Sequence, residues 1–251
     1  MVNKMNKKPK LIKNITPKIH QEFDILTQRL NTSLDKSLQI ELKNFLDNGL
    51  VTDPLNNLFK DRYRYSNEDF NFELKFALMT LRYSFVEKFG FVLLNEKLIN
   101  VASDFLKDKK VCEIGAGTGW LSHNLQKNNV DVTPIDYKPG LDSDFGFKFN
   151  HTNITICNGI EYLENNFPDV ILLSWPDYDT SFASQILEKM KPGQTLIYIG
   201  EGYGGCTGDD RFFDLLNEKT QLNENITHQL QEHSLSWSGV HDTWYVYNIT
   251  Q

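Results

Sequence analysis

Apolar residues in the first third of the chain recur at helical spacing. Ile19, Phe23, Leu26 and Leu30 stand three or four residues apart, and Leu34, Leu38, Leu42, Phe45 and Leu46 continue the stripe. A side chain returns to the same face of a helix at that interval, so the pattern predicts helix through residues 19–50. Asn48-Gly49 supplies a stop. The pattern weakens between Thr52 and Asn71, where Asp53-Pro54 marks a loop or a new start. Leu74, Ala77, Leu78, Leu81 and Phe85 predict a further helix over 72–85, broken by Gly90, and 94–106 reads as another.

From Lys110 onward the rhythm changes to short apolar runs alternating with helical stretches. The runs predict strands at 111–114, 130–135, 154–157, 170–174, 195–199, 226–230 and 244–249. Helices are predicted at 120–128, 159–166, 181–190 and 210–219. Strands alternating with helices imply a parallel sheet covered on both faces. The last two runs leave little room for a crossover helix, which predicts an antiparallel edge. No internal repeat is visible.

Composition narrows the class. Of 251 residues, 40% are apolar and 24% charged, enough to bury a core and too apolar for global disorder. No stretch approaches the roughly 18–20 apolar residues that cross a bilayer, and no basic segment precedes a short apolar block, so neither a membrane span nor a secretory signal is expected. Cys112, Cys157 and Cys206 lack the paired spacing of a zinc site or a disulfide framework, so no metal is expected and the reducing cytoplasm is the expected compartment. Charge is uneven: 19 Lys/Arg against 14 Asp/Glu before residue 111, then 7 against 19 after it. The acidic part is a poor nucleic-acid surface, because phosphate contacts need cations. Residues 1–18 carry six lysines and no acid, which reads as a solvated flexible arm or as a contact for an anionic partner.

The sharpest local signal is Val-Cys-Glu-Ile-Gly-Ala-Gly-Thr-Gly-Trp-Leu at 111–121. A strand ends at a loop with Gly115, Gly117 and Gly119, and a helix follows. A dinucleotide fingerprint would need glycine where Trp120 stands, which disfavours a nicotinamide-dependent oxidoreductase, and the Gly-Lys-Ser/Thr of a phosphate loop is absent. The loop resembles the first motif of the class I S-adenosylmethionine (SAM)-dependent methyltransferases, an acid followed by three alternating glycines, with Glu113 as the acid. The resemblance implies SAM as cofactor, with Gly115, Ala116, Gly117 and Gly119 beside its methionine part and Glu113 toward its ammonium. Asp136 closes the second predicted strand, where an acid can accept both ribose hydroxyls. Tyr137 follows it and can pack on ribose or adenine. Asn158, Gly159 and Ile160 follow the third strand, where the family holds adenine; Asn158 also reads as a helix N-cap. Only about 17 residues separate Asp136 from the third strand, so the second crossover helix is expected to be short or missing.

The fourth strand ends in Ser174-Trp175-Pro176-Asp177-Tyr178. In the resembled family this strand end adjoins the sulfonium methyl, and Ser174 falls at the cofactor. Enzymes of that family acting on exocyclic amines often carry an Asp/Asn/Ser-Pro-Pro-aromatic motif here, which this segment resembles loosely without matching it: Trp175 replaces the first proline and Asp177 stands where the aromatic would be. Asp177 and Asp179 are the nearest candidate bases, Asp177 first, with Trp175 and Tyr178 as walls, although a tryptophan-proline pair can simply plug the top of a sheet. Gly200-Glu201-Gly202-Tyr203-Gly204-Gly205-Cys206-Thr207-Gly208 reads as a mobile loop or one pressed on a ligand. Together with Trp237-Ser238-Gly239-Val240-His241-Asp242 it is similar to a little-characterised methyltransferase-like family, and it adds Glu201 and His241 as acid/base candidates. Tyr83-Ser84-Phe85 and Phe89-Gly90-Phe91 read equally as a lid or as helix core.

The sequence therefore predicts an α/β chain in which residues 1–18 form an arm, 19–92 a helical cap or recognition region, and 93–251 a Rossmann-like, seven-stranded methyltransferase domain with an antiparallel final strand. The expected reaction is methyl transfer from SAM to an unidentified acceptor, a small molecule or protein in preference to nucleic acid. A binding protein that holds SAM or S-adenosylhomocysteine without turnover is the alternative. Oligomeric state is not encoded in any feature read here.

Overall fold

The computed structural model describes residues 36–60, 72–140, 146–237 and 239–251. The predicted arm and the first half of the predicted N-terminal helical stretch lie outside them. Helix α1 (Lys36–Asn48) buries Leu42, Phe45 and Leu46 and stops at Gly49, whose φ of 74° lies in the left-handed region that glycine enters without strain. A Cβ there would also sit 2.6 Å from the Phe89 ring. A single 3-10 turn (Asp53–Leu55) leads into the short α2 (Asn56–Lys60). The long α3 (Phe72–Phe89) ends at Gly90, also left-handed. Helix α4 (Glu96–Leu106) opens at Asn95, whose side chain accepts from Leu98 N at 2.8 Å.

The sheet and its helices then alternate: β1 (Val111–Ile114), α5 (Trp120–Lys127), β2 (Val132–Asp136), β3 (Thr155–Ile156), α6 (Gly159–Asn165), β4 (Val170–Ser174), α7 (Phe182–Lys189), β5 (Thr195–Gly200), α8 (Asp210–Lys219), β6 (Thr220–Leu222), α9 (Glu224–His233) and β7 (Thr243–Ile249). The strand order is β3-β2-β1-β4-β5-β7-β6. Strands β1 to β5 are parallel, and β7 slots between β5 and β6, antiparallel to both. This is the expected Rossmann-like seven-stranded sheet with a reversed final strand. Among the described residues no helix spans the gap between β2 and β3, and β3 is only two residues long.

Alternation along the central strands sends side chains into two layers. Val111, Val170, Leu172, Ile197 and Ile199 face one side, while Cys112, Ile171, Leu173, Leu196 and Tyr198 face the other. Helices α6, α7 and α8 cover the second layer through Leu163, Ile186 and Leu215. Helices α4, α5 and α9 cover the first, and α1 and α3 join that same cluster. Trp237, 2% exposed, is the joint: its ring lies 6.0 Å from Phe45, 5.2 Å from Phe59 and 5.4 Å from Phe85. Burying an aromatic side chain of this kind contributes about 1.5–3 kcal/mol. The described N-terminal helices and the sheet thus share one hydrophobic core. Lys88 secures the arrangement by donating to Leu46 O and Asp47 O at the end of α1, where carbonyls have no helical partner. Its burial lowers the ammonium pKa.

One predicted strand is wrong. Residues 226–230 form the middle of α9, and the sixth strand is Thr220–Leu222. The β-branched Ile226-Thr227 pair suggests a strand, yet Ile226, Thr227 and Leu230 occupy one helical face and are all buried. Asn223 starts the helix, accepting from Ile226 N at 3.4 Å. The last two strands are therefore joined by a helix, and the edge is β6 rather than the final strand.

Candidate functional site

At the carboxyl ends of β1, β2 and β4 a cavity of about 460 Å³ opens. Chain connections leave β1 toward β2 on one side and return to β4 on the other, which splays the following loops apart and makes the crevice where open α/β sheets bind ligands. Its size falls in the roughly 300–1,000 Å³ range of small-molecule sites.

The glycine loop forms its floor. Gly115, Gly117 and Gly119 have φ of 74°, 54° and 70°, so all three need glycine's freedom. The loop's N–H groups are turned inward. Gly115 N and Ala116 N both donate to Ile135 O at 3.0 Å, Gly119 N donates to Ala116 O at 2.7 Å, and Gly117 N donates to Asp136 Oδ2 at 2.8 Å. A pyrophosphate cradle requires such N–H groups to point at the ligand; here those of Gly115, Ala116, Gly117 and Gly119 are bonded within the protein.

The acids around this floor are partly committed. Asp136 lines the cavity and its Oδ1 accepts from Lys138 N at 2.8 Å. Burial raises its pKa, against the bonds from Gly117 and Lys138 that lower it. Glu113 is 3% exposed and lines the cavity. Its Oε2 takes Ser122 N at 3.1 Å and the Ser122 hydroxyl in a short bond, which fixes the carboxylate over the first turn of α5. Burial pushes this carboxyl up to about 7, with the Ser122 bonds opposing.

Tyr137, Asn158, Gly159 and Ile160 line the same cavity. Asn158 is the N-cap of α6, its side chain accepting from Ile160 N at 2.8 Å. Gly159 sits so close to β1 that an added Cβ would meet Ile114 Cγ2 at 2.3 Å. The opposite wall carries Ser174, Trp175, Pro176 and Asp177. Trp175 has φ of 50°, a left-handed backbone that a bulky residue adopts only when its surroundings force it. Its N–H is held by Ile199 O at 2.8 Å, and its ring stacks on Phe91 at 4.8 Å and 13°. Asp177 bridges to Thr207, and its Oδ1 accepts from Asp179 N at 3.0 Å.

Three expected acceptor-side residues stand elsewhere. Tyr178 is 51% exposed and does not line this cavity. Glu201 does not line it either: its buried carboxylate accepts from Cys206 N at 2.7 Å and from His241 N at 2.9 Å. It clasps the glycine-rich loop to the 239–242 segment. His241 contributes only its backbone to the clasp, and its side chain is exposed. Trp237 belongs to the core. The two aromatic segments before β1 divide: Tyr83 is 70% exposed and Phe85 is core, whereas Phe89, Gly90 and Phe91 line the cavity.

Sequence reasoning missed Phe147 and Phe182, and Arg82, which packs near the Trp175 and Phe91 rings without lining the cavity. Phe147 closes over Gly117, whose added Cβ would lie 2.9 Å from its ring, and Phe182 opens α7 at the cavity edge. The Arg82 guanidinium carbon lies 5.4 Å from the Trp175 ring centre and 5.8 Å from that of Phe91. The one available signal was rarity, since the chain has only five arginines.

The fold and site define an α/β protein with an open crevice at the switch point of a seven-stranded sheet with a reversed final strand. Among solved structures the chain is similar to the N-methyltransferase NodS from Bradyrhizobium japonicum WM9, with 15% identity, a TM-score of 0.42, and coverage of 61% of this chain and 93% of that one. It is also similar to the magnesium protoporphyrin IX methyltransferase ChlM from Synechocystis PCC 6803, solved with bound SAM, at 13% identity and a TM-score of 0.40, covering 87% of this chain and 99% of that one. A third is the CcbJ methyltransferase from Streptomyces caelestis, at 12% identity and a TM-score of 0.41, covering 62% and 89%. No family model matches the sequence, and no curated protein matches it.

Proposed function

We propose that this protein is a SAM-dependent methyltransferase acting on a small molecule or a protein group. The observation that carries the reading is the character of the cavity floor: a glycine loop with the N–H groups of Gly115, Ala116, Gly117 and Gly119 spent internally, flanked by the carboxylates of Glu113 and Asp136. Such a floor repels the phosphates of a dinucleotide and suits a ligand with an ammonium, a sulfonium and a ribose but no phosphate. The residues present fit that cofactor. Glu113 would meet the ammonium, Asp136 the ribose hydroxyls, and Asn158 and Ile160 the adenine, with Tyr137 against the sugar. The aromatic faces of Trp175, Phe91 and Phe182 suit a sulfonium cation.

SAM supplies an electrophilic methyl group when bound. The chain's part is to align an acceptor and to remove a proton if the acceptor carries one. Asp177 is the carboxylate on the acceptor wall, and no described donor bonds its second oxygen. The strained backbone at Trp175 turns the end of β4 into that wall. The commitment of one Asp177 oxygen to its own turn favours a second reading, in which the protein holds SAM or S-adenosylhomocysteine without turnover.

Calorimetry with SAM and NAD side by side tests the cofactor, with SAM binding and NAD not binding as the expected result. Label from methyl-tritiated SAM should then appear in a component of a cell extract; tight binding without transfer would move the assignment to the second reading.

A further inference from the structure

Among the described residues that line the cavity, the charged ones are three carboxylates and one lysine: Glu113, Asp136, Asp177 and Lys138. Lys138 donates its backbone N–H to Asp136, so it belongs to the same end as the floor. The opposite wall brings together the rings of Phe91 and Trp175, the hydroxyls of Ser174 and Thr180, and the carboxylate of Asp177. The Arg82 guanidinium packs near the two rings without lining the cavity, so Asp177 supplies the charge that an acceptor meets on this wall. The cofactor placed on the floor accounts for Glu113 and Asp136 but leaves Asp177 without a counter-charge.

This carboxylate is both fixed and reachable. Its backbone is held on either flank: Trp175 N donates to Ile199 O at 2.8 Å, Gly208 N donates to Pro176 O at 2.9 Å, and Asp177 bridges to Thr207. Thr207 is itself buried, its hydroxyl accepting from Glu201 N at 2.7 Å. The side chain of Asp177 is exposed; one oxygen accepts from Asp179 N at 3.0 Å, and no described donor bonds the other. A carboxylate offers about four lone-pair positions, so most of its accepting capacity is unspent. An anionic acceptor would meet this charge and the negative faces of the rings. A protonated nitrogen meets a charge-assisted hydrogen-bond acceptor and ring faces that attract cations. The wider field has the same sign, with 7 Lys/Arg against 19 Asp/Glu after residue 110.

We propose that Asp177, beside the Phe91–Trp175 stack, recognises a cationic amine on the methyl acceptor. The proposal rests on the methyltransferase reading and names the acceptor's class. It makes Asp177 the residue that selects cationic over neutral and anionic acceptors.

The full chain saturated with S-adenosylhomocysteine is titrated by calorimetry at neutral pH with benzylamine, benzyl alcohol and benzoate, which share a ring and differ in the charge of the head. The expected result is benzylamine binding about tenfold or more tighter than benzyl alcohol, with benzoate the weakest. Asp177→Asn keeps the shape and should bring benzylamine to the affinity of the alcohol, while Asp177→Glu, which keeps the charge and shifts its reach, should retain part of the preference. S-adenosylhomocysteine affinity and melting temperature report that both variants are folded. Equal affinities for the three probes, no measurable benzylamine binding, a preference for benzoate, or an amine preference that survives Asp177→Asn each overturns the proposal while leaving the methyltransferase reading intact. Failure of the parent chain to bind S-adenosylhomocysteine at all overturns that reading and this proposal with it.

Discussion

Glu113 offers the most informative perturbation, because its charge state and its proposed role are linked. Burial holds its carboxyl up to about 7 although Ser122 donates to it twice. If it meets the cofactor's ammonium, the complex needs the ionised form, and at acid pH binding must expel a proton. Affinity should then fall as the ionised fraction of free protein falls, by about 15-fold between pH 7 and pH 5.5. At pH 6, about 0.9 proton should be released per SAM bound, read as a dependence of the binding heat on the buffer's ionisation enthalpy. The window stops near pH 7 because the ligand's own α-amino group begins to lose its proton at about 7.7–8.0.

Glu113→Gln keeps the shape and removes the charge. At neutral pH it should weaken SAM by about 1.5–3 kcal/mol, the loss of a charged hydrogen bond, or roughly 10- to 150-fold. It should also flatten the pH dependence and end proton release. Its effect on stability has the opposite sign. A carboxyl whose folded pKa lies above its unfolded value of 4.5 contributes stability that is complete below 4.5 and is lost as pH rises through 7. The substitution removes that penalty, worth up to about 3 kcal/mol above pH 7, less whatever the Ser122 bonds lose. A more stable variant that binds less well is the signature of a group kept for function. A dissociation constant that is flat from about pH 5.5 to 7, or equally steep in Glu113→Gln, would remove Glu113 from the ammonium.

Asp136→Ala should weaken SAM by about 1.5–3 kcal/mol and lower the melting temperature, since Gly117 N and Lys138 N lose their acceptor. Calorimetry returning an unchanged constant would count against the ribose assignment. Glu201→Gln should cost about 1–3 kcal/mol of stability, because one of its two backbone donors must then face an amide N–H, while SAM affinity holds. Turnover lost at unchanged melting temperature would instead return Glu201 to the chemistry. His151 is held neutral by burial, which pushes its pKa down to about 4, and its Nε2 donates to Lys88 O at 2.7 Å. Because its folded pKa is below the unfolded 6.5, the stability it contributes is complete above 6.5 and is lost as pH falls toward 4, by up to about 3 kcal/mol. His151→Gln should show a shallower acid slope in denaturant titrations, and an unaltered slope would assign acid sensitivity to other groups.

The residues that were legible from sequence are those whose environment is local. The 111–114 strand, its glycine loop and the start of α5 form one continuous segment, and the positive φ values at Gly115, Gly117 and Gly119 are what that spacing announces. Asp136 and Asn158 were legible for the same reason: each closes or follows a strand of the sheet, and strand ends share one rim. Sequence could not give the direction in which a rim residue points. Glu201 follows β5 at the same rim as Trp175 follows β4, yet its carboxylate turns to N–H groups of Cys206 and His241, a pairing set only when two distant loops meet. Residues 226–230 failed at shorter range, because five residues opening on a β-branched pair fit either period, while in the structure β7 faces this helix and Val246 N donates to Thr227 Oγ1 at 3.0 Å.

The wall opposite the glycine loop is the harder half of the cavity to read. The side proposed for the cofactor is built by one strand-turn-helix segment and the strand ends beside it, so it is written in motifs. The opposite wall is built by the end of α3, the segment after it and the end of β4, which are remote in sequence and meet through the stack of Phe91 on Trp175. Helices α1 and α3 are part of the sheet's own core, anchored at Trp237 and by Lys88 at the end of α1. The N-terminal helices also reach the glycine loop directly, with Phe89 on Trp120 at 4.8 Å and Thr118 Oγ1 donating to Phe89 O at 2.9 Å, so changes at their buried face should reach the cavity from both sides.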